Sequence, residues 1–574
     1  MNPSNLKNFK WDKLPEPDKS KISTLASEIN TSKLIAQLLL QRGVSNYEAA
    51  RKYFAPQILD LHDPFLMKDM EKAVNRIIEA KSKNEHCFIF GDYDVDGTNG
   101  TALLYLFLKN IGVNVSYYIP DRIKEGYGIS ILGIDEAKNK STKLIIAVDC
   151  GINEVENVNY AKSFDIDFII CDHHEVGEVL PNAVAVLDPL QNDCNYPFKY
   201  LCGCGVAFKL IQAINLKLNL KIDLLPYLDF VAVAIGADIV PIIDENRILM
   251  QLGIDHLKIS PNLGYKKLMI AANINQQKLT NWNIVFGLAP RINAVGRLGK
   301  ATRAVELFIS DSEVNADELS NEMNKENTLR KNIQEQTVSE AIEMYETNPN
   351  LKNGNVILLY NDSWHPGVIG IVASKLVETY YLPTIILTKV DKIAKGSCRS
   401  ISDVNIYDAL HNFNNLILNF GGHVVAAGLS IEIEKINILR DELSNYFKNI
   451  LTDDIRIPKI KVDAVVKLDE IDNTFLKSIF RFAPYGPQNM APTFVSKNIR
   501  FNENVKLQKN NTFKATLNIN DRLIDCISFN NLEMFEMAKT KKYFDILFEF
   551  NENDYNGRVT PQIKLKQIKF SENN

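Results

Sequence analysis

"FIFGDYDVDGTNG", residues 88–100, is the stretch on which the fold reading turns. An apolar run closes at Gly91, three carboxylates follow at alternate positions (Asp92, Asp94, Asp96), and "TALLYLFLKNIG" continues with helical periodicity. A strand, an acidic turn and a helix in succession open a βαβ unit. Downstream, "VNVSYYIP", "KLIIAVDCG", "DFIICDHH" and "AVAVLDP" repeat the short Val- and Ile-rich run, with amphipathic segments between them. The pattern predicts an α/β domain with a doubly wound parallel sheet over residues 71–305.

Outward from there, helical patterns run from Gly205 to about His256. Residues 306–350 hold a polar, charged stretch with few turn residues, which predicts one long solvent-exposed connecting helix. A second α/β block is expected over 351–450, starting at "GNVILLYN". After "IRIPKI" the runs become closely spaced and strand-like, predicting a small β-barrel of the oligonucleotide-binding (OB) type over 456–574. Residues 1–70 carry helical patches and no recognisable chemistry.

The 574 residues are 46% hydrophobic with a formal charge of -5, which fits roughly three or four globular domains. The sum hides an asymmetry: from Arg456 onward, 19 Lys and Arg face 14 Asp and Glu. The expected barrel is therefore mildly basic, as a strand-binding module would be. Among its aromatics, Phe494, Phe501 and Phe513 are candidates for stacking on bases, with core packing the alternative. Eight scattered cysteines form no CxxC pair and read as reduced, cytosolic thiols. Cys202-Gly-Cys204 lacks zinc-site spacing and reads as small buried residues. The first residues lack the apolar core of a signal peptide, and no run is long enough to cross a bilayer. The expected location is the cytoplasm, without a membrane.

In doubly wound sheets, ligands bind beyond the carboxyl ends of the strands. Acids recur at those places: Asp92, Asp94 and Asp96; Asp149; then Asp172 with His173 and His174. Asp238 follows another apolar run, in "AIGADIVP". Each has a structural alternative, such as Asp92 capping the next helix or Asp149 opening a turn. Together they exceed what capping requires. Oxygen-rich ligands with one or two imidazoles suit Mg²⁺ or Mn²⁺, and there are enough carboxylates for two ions. The reaction class that follows is phosphoester hydrolysis. Gly97 and Thr98 open the helix with backbone amides suited to an anion.

"GDYDVDGT", "VDCG", "CDHHE" and "GADIVP", in that order, resemble the four motifs of the DHH phosphoesterase superfamily. "PDRIKEGYG" (120–128), "LCGCGVAFKL" (201–210), "APRINAVGR" (289–297), "WHPGVIGIVASKL" (364–376), "GSCRS" (396–400) and "GGHVVAAG" (421–428) narrow the resemblance. They are similar to the RecJ family of single-stranded-DNA exonucleases, with DHH, DHHA1 and OB domains. The resemblance implies 5'→3' removal of nucleotides from single-stranded DNA, with Mn²⁺ or Mg²⁺, in recombination and repair. By position, Asp94, Asp96, Asp149, His173 and Asp238 match the family's metal ligands. Asp92, Asp172 and His174 complete the site by orientation or phosphate contact. Arg122, Arg291, Ser397 and Arg399 are expected along the strand and at its 5' end, and His423 facing the substrate. A monomer is implied, with a single-strand-binding protein and a helicase as candidate partners.

Two departures from the family pattern stand out. "APYGPQNMAPTF" (483–494) differs at Tyr485, Pro487 and Gln488, and Val295 replaces a small residue. Two other readings stay open: a small-nucleotide phosphodiesterase or pyrophosphatase of the same superfamily, and a catalytically inactive single-strand-binding scaffold. The basic C-terminal part weighs against the first, and the complete set of motif carboxylates against the second.

Overall fold

The computed structural model describes residues 9–122, 124–502, 505–520, 522–540, 542–555 and 558–571. The chain divides into two compact units, one built from Asp12–Asn324 with Lys461–Asn574, the other from Lys325–Ile460 with residues 9–11.

In the first unit, β1 (His86–Gly91), α1 (Val95–Asn110), β2 (Val115–Tyr118), β3 (Thr142–Val148), β4 (Asp167–Cys171) and β5 (Ala185–Leu187) form a parallel sheet with its first crossover helix. The strand order is β2-β1-β3-β4-β5. Side chains alternate between faces along a strand, and here both faces are buried. Cys87 and Ile89 join one core cluster with Leu144, Ile146 and Ile169, while Phe88 and Phe90 join another with Ile145, Ala147 and Ile170. Double burial explains why the runs read as continuously apolar. α2 (Gly203–Lys217), α3 (Leu228–Asp238), α4 (Asp244–Ile259) and α5 (Ala289–Leu298) follow. They add their apolar faces to the first cluster.

The connecting segment is a single 35-residue helix, α6 (Glu313–Thr347). The expectation of a solvent-exposed helix needs correction, because Ala316, Ser320, Met323, Asn327, Arg330, Thr337, Ala341 and Tyr345 are buried. Their spacing of three or four residues, with one gap of seven, marks one continuous face. That face is largely small or polar, so hydropathy alone does not reveal it.

The second unit holds β6 (Ile357–Tyr360), α7 (Ile369–Tyr380), β7 (Thr384–Val390), β8 (Ile393–Arg399), β9 (Ile417–His423) and β10 (Ala426–Ile431). Its five-stranded mixed sheet has the order β9-β10-β8-β7-β6.

Back in the first unit, β11 (Ala464–Val465), β12 (Phe494–Ile499), β13 (Lys506–Gln508), β14 (Thr512–Ile519), β15 (Arg522–Ser528), β16 (Phe544–Tyr555) and β17 (Arg558–Phe570) form the C-terminal sheet. Its order is β11-β12-β16-β17-β15-β14-β13. This is the expected OB-type module, although among the described residues the edge strands β11 and β13 do not pair to close a barrel. Phe494 and Phe513 are fully buried and Phe501 is 9% exposed, so all three are core and not stacking residues. That core is shared with the N-terminal helices: Ile22, Leu25, Ile35, Leu38, Leu39 and Tyr53 lie in one cluster with Phe475, Phe494 and Phe548. The helices between Ile22 and Tyr53 therefore have a structural role that their sequence does not announce. Arg247 of α4 fastens the junction, with its guanidinium donating to the carbonyls of Tyr53 (3.1 Å), Phe482 (3.0 Å) and Ala483 (2.9 Å).

The departing segment before β12 makes its own contacts. Asn281 Nδ2 donates to the Tyr485 carbonyl at 2.7 Å, and Ile242 N to the Pro487 carbonyl at 2.8 Å. Gln488 sits at φ 58°. Val295 is fully buried.

All eight cysteines are free and buried. No helix among the described residues is long and apolar enough to cross a membrane.

Candidate metal centre

The centre grows out of the sheet register. Gly91, Val148, Cys171 and Leu187 share one row across four parallel strands, and each is followed by an aspartate: Asp92, Asp149, Asp172 and Asp188. The ladder continues through their amides. Asp92 N donates to the Val148 carbonyl (3.2 Å), Asp149 N to Cys171 (2.9 Å) and Asp172 N to Leu187 (3.0 Å). Main-chain hydrogen bonding thus fixes a row of carboxylates, all buried, at the carboxyl edge of the sheet.

Asp94, not Asp92, caps α1: its carboxylate accepts from Asp96 N at 2.9 Å and Gly97 N at 3.2 Å. Gly97 has to be glycine, since a Cβ there would stand 2.5 Å from the Asp92 carbonyl oxygen. Asp149 sits at φ 61°, a left-handed conformation that costs a non-glycine residue about 1–2 kcal/mol. Asp238 is the last residue of α3, and the following Ile239, at φ 60°, ends the helix.

His173 is the hub. Its Nε2 lies 3.1 Å from Asp149 Oδ1, 3.6 Å from Asp96 Oδ2 and 3.8 Å from Asp238 Oδ2. Three sets of ligand atoms lie within 4.8 Å of one another: Asp96, His173 and Asp238; Asp92, Asp94 and Asp149; Asp149, His173 and His174. Asp149 and His173 each belong to two sets, so the set of Asp149, His173 and His174 links the other two. Asp172 sits behind the imidazoles. Its Oδ1 accepts from His174 Nδ1 at 2.7 Å and from His173 N at 2.8 Å, and its Oδ2 from Ile152 N at 2.9 Å. The His174 ring is thereby oriented with Nε2 as its remaining nitrogen.

The electrostatics call for a cation. Burial, then the neighbouring carboxylates, pushes Asp92, Asp149 and Asp238 well above the ordinary carboxylate range. Burial raises Asp96 as well, against the opposing pull of His173. Burial holds the His173 imidazole low. It acts in the same direction on His174, but there the hydrogen bond and charge of Asp172 win and hold it up to about 9. Asp92 Oδ1 is buried without a hydrogen-bond partner. Four acids disfavoured in their charged form, an orphaned carboxylate oxygen and the neutral His173 imidazole form a donor set that hard divalent cations satisfy.

The arginine and substrate-facing candidates fall in both units. In the first, Arg122 places its guanidinium 4.9 Å from the centroid of the Tyr93 ring, inside the acidic loop. Arg291 on α5 donates to Asn324 Oδ1 at 2.9 Å and the Gly287 carbonyl at 2.6 Å. In the second, Arg399 donates to Ser397 Oγ at 3.0 Å. A Cβ at Gly370, in the first turn of α7, would be 3.0 Å from that oxygen and 3.3 Å from an Arg399 nitrogen, so a helix N-terminus opens beside the pair. His423, Ala426 and Arg399 share one row of the β9-β10-β8 ladder, which sets His423 two strands, about 10 Å, from Arg399.

Three family models match the chain in order: the DHH family, N-terminal domain, over residues 86–235; the DHHA1 domain over 353–449; and the RecJ OB domain over 462–567. Over 567 residues the chain is 36% identical to the single-stranded-DNA-specific exonuclease RecJ of Bacillus subtilis (strain 168), covering 98% of this chain and 71% of that protein. The chain belongs to the RecJ family. The RecJ of Escherichia coli (strain K12) is 33% identical, over 75% of this chain and 78% of that one. The crystal structure of RecJ in complex with Mn²⁺ from Thermus thermophilus shares the fold, with a TM-score of 0.83 at 24% identity, covering 98% of this chain and 80% of that one.

Three residues of this RecJ-family centre escape the sequence reading. Asp188 completes the row; its Oδ2 is buried and unpartnered, and burial, then the charge of Asp172, pushes it up to about 7. Its signal was present, since "AVAVLDP" ends like the other strands. Tyr127 donates its phenol to the Asp149 carbonyl at 3.2 Å and stands 3.2 Å from His174 Nδ1. Gly203, inside the Cys202-Gly-Cys204 stretch read as filler, donates its N–H to Asp96 Oδ2 at 2.6 Å, with Cys204 N reaching Oδ1 at 2.8 Å. No local pattern announces that contact, because it joins segments far apart in the chain.

Proposed function

We propose that this RecJ-family chain is a single-stranded-DNA-specific exonuclease that hydrolyses phosphodiester bonds in the 5'→3' direction and releases 5'-mononucleotides, with Mn²⁺ or Mg²⁺ as cofactor. The observation that carries the reading is His173 Nε2 facing Asp149, Asp96 and Asp238 at 3.1, 3.6 and 3.8 Å, with Asp92 and Asp94 completing a second group around Asp149.

Asp96, His173 and Asp238 would hold one ion and Asp92, Asp94 and Asp149 the other, the two groups meeting where His173 Nε2 lies 3.1 Å from Asp149 Oδ1. When bound, two such ions supply Lewis-acid activation of water and neutralise charge on the phosphoryl group. The chain does the rest. Asp172 fixes His174 so that its Nε2 can donate a hydrogen bond to a phosphate oxygen. Tyr127 holds the Asp149 carbonyl and the His174 ring through its phenol. Arg122 offers a guanidinium fork to a phosphate near the loop, and Arg291 one on α5. Ser397, Arg399 and His423, with the first turn of α7, provide a phosphate-contacting row that favours a charged 5' end. The OB-type sheet adds backbone affinity for the strand. The reading also takes the chain as a cytoplasmic monomer that receives single strands opened by a helicase and works alongside a single-strand-binding protein in recombination and repair.

The test is incubation with Mn²⁺ and 5'-labelled single-stranded DNA, the matching duplex, or dinucleotides. Early release of the label as a mononucleotide from the single strand alone is the expected result. Cleavage of dinucleotides only would favour a small-nucleotide phosphodiesterase, and no cleavage would favour an inactive scaffold.

A further inference from the structure

Trp282 and Phe286 are large aromatic side chains that the catalytic unit leaves in solvent, 67% and 59% exposed. Their ring centroids lie 5.3 Å apart with the planes at 39°, so the two rings present one tilted aromatic surface. Isolated exposed apolar residues are ordinary, but a paired Trp and Phe in contact form a patch.

The backbone beneath them is held in place. Phe286 lies on a π-helical turn, Ile284–Leu288, whose ends Ile284 and Leu288 are fully buried; such turns gather at functional sites. Next to Trp282, Asn281 donates to the Tyr485 carbonyl. A Cβ at Gly236 would stand 2.8 Å from Asn281 Oδ1 and 2.8 Å from Ile284 Cγ2, so the underside of this turn rests on α3 two residues before Asp238. From the same turn α5 leads to the acidic loop, where Gly296 comes within 2.7 Å, measured from an added Cβ, of the Tyr93 carbonyl oxygen. The aromatic pair is thus anchored on two elements that carry metal-centre carboxylates. Ten residues of helix measure about 15 Å, which corresponds to roughly two to five nucleotides of a single strand.

Charge points to the occupant. From His256 to Val305 the sequence has eight Lys and Arg and no Asp or Glu, in a chain whose net charge is -5. At least four of them, Lys258, Lys267, Lys278 and Arg303, are offset by acids outside this stretch. The region still favours a polyanion. In the OB-type module Phe494, Phe501 and Phe513 are buried, while Phe529, Tyr543 and Phe570 are exposed.

We propose that Trp282 and Phe286 form a ledge on which bases of the single strand stack a few nucleotides from the scissile bond. The proposal rests on the exonuclease reading. Every base offers a π-face, so the ledge is tolerant of sequence but requires bases.

The test compares the binding of a thymidine 20-mer with that of an abasic strand of the same length, at one salt concentration and without divalent cations. The preference of wild type for the base-bearing strand should fall roughly tenfold in the Trp282→Ala, Phe286→Ala double variant. Trp282→Phe, which keeps a ring, should restore most of it. Quenching of the exposed Trp282 fluorescence on strand binding gives an independent readout. An unchanged preference in a folded double variant overturns the proposal and leaves the ledge to a protein partner. The exonuclease reading fails separately, if wild type with Mn²⁺ leaves the strand intact.

Discussion

Gly203 presses directly on Asp149: a Cβ at position 203 would stand 2.6 Å from Asp149 Cβ and 2.8 Å from its Cα. The same residue donates its N–H to Asp96. One glycine at the start of α2 therefore spaces two carboxylates of the centre. Gly203→Ala should weaken Mn²⁺ binding and lower kcat/KM by about 10–100-fold, as misplaced ligand supports do. Calorimetric titration of Mn²⁺ and strand-release rates check both. Unchanged metal affinity in a folded variant would remove Gly203 from its supporting role.

Asp149 has the opposite balance of stability and function. Its carboxylate is buried beside Asp96, Asp94, Asp92 and Asp238, which disfavour its charge. Asp149→Asn should abolish hydrolysis while melting no lower than wild type in EDTA, because a repulsion has been removed. Mn²⁺ at a hundred times its Kd should stabilise wild type by about 2.7 kcal/mol and the variant by less. Thermal melts with and without the ion measure the difference.

Asp188 predicts a pH signature. Its pKa in the fold is pushed up to about 7 by burial and then by Asp172, above the ordinary value of about 3.9 in an unfolded chain. A raised carboxylate contributes stability that is fully present below the unfolded value and is lost as pH rises through the folded one. Asp188→Asn should therefore match wild type near pH 4 and exceed it by about 2–4 kcal/mol at pH 8 in EDTA. Denaturant melts across that window decide it, and a difference independent of pH would contradict the assignment.

Lys209 and Glu245 form an ion pair at 3.0 Å with both side chains fully buried. Glu245 also takes the Tyr196 hydroxyl and the His62 amide, and Lys209 donates to the His62 carbonyl at 2.7 Å. Lys209→Met would leave the Glu245 carboxylate uncompensated and should cost about 3–5 kcal/mol. Replacing both partners with apolar residues should recover much of that loss. Urea midpoints of the single and double variants test it.

Arg399 is the group assigned to the strand's end. Arg399→Ala should reduce discrimination between 5'-phosphorylated and 5'-hydroxyl single strands by about tenfold while leaving Mn²⁺ affinity unchanged. The ratio of the two cleavage rates, wild type against variant, is the measurement. A ratio that does not move places polarity elsewhere.

What the sequence by itself determined is the local part. The doubly wound sheet was legible because strands buried on both faces read as apolar runs, and the strand-end acids were legible because topology sends those positions to one edge. Asp92, Asp149 and Asp172 could be named together for that reason, and Asp188 by the same rule had it been extended to the last strand. Tertiary structure alone decided what depends on contacts between distant segments. Gly203 spacing Asp96 and Asp149, Asp94 rather than Asp92 capping α1, the N-terminal helices completing the core around Phe494, and the largely polar buried face of α6 leave no periodic trace. Hydropathy patterns record which face of an element is hidden; they do not record which other segment hides it. The same limit made Phe494, Phe501 and Phe513 look available to a strand while Trp282 and Phe286, left in solvent by the packing of their own turn, passed unnoticed.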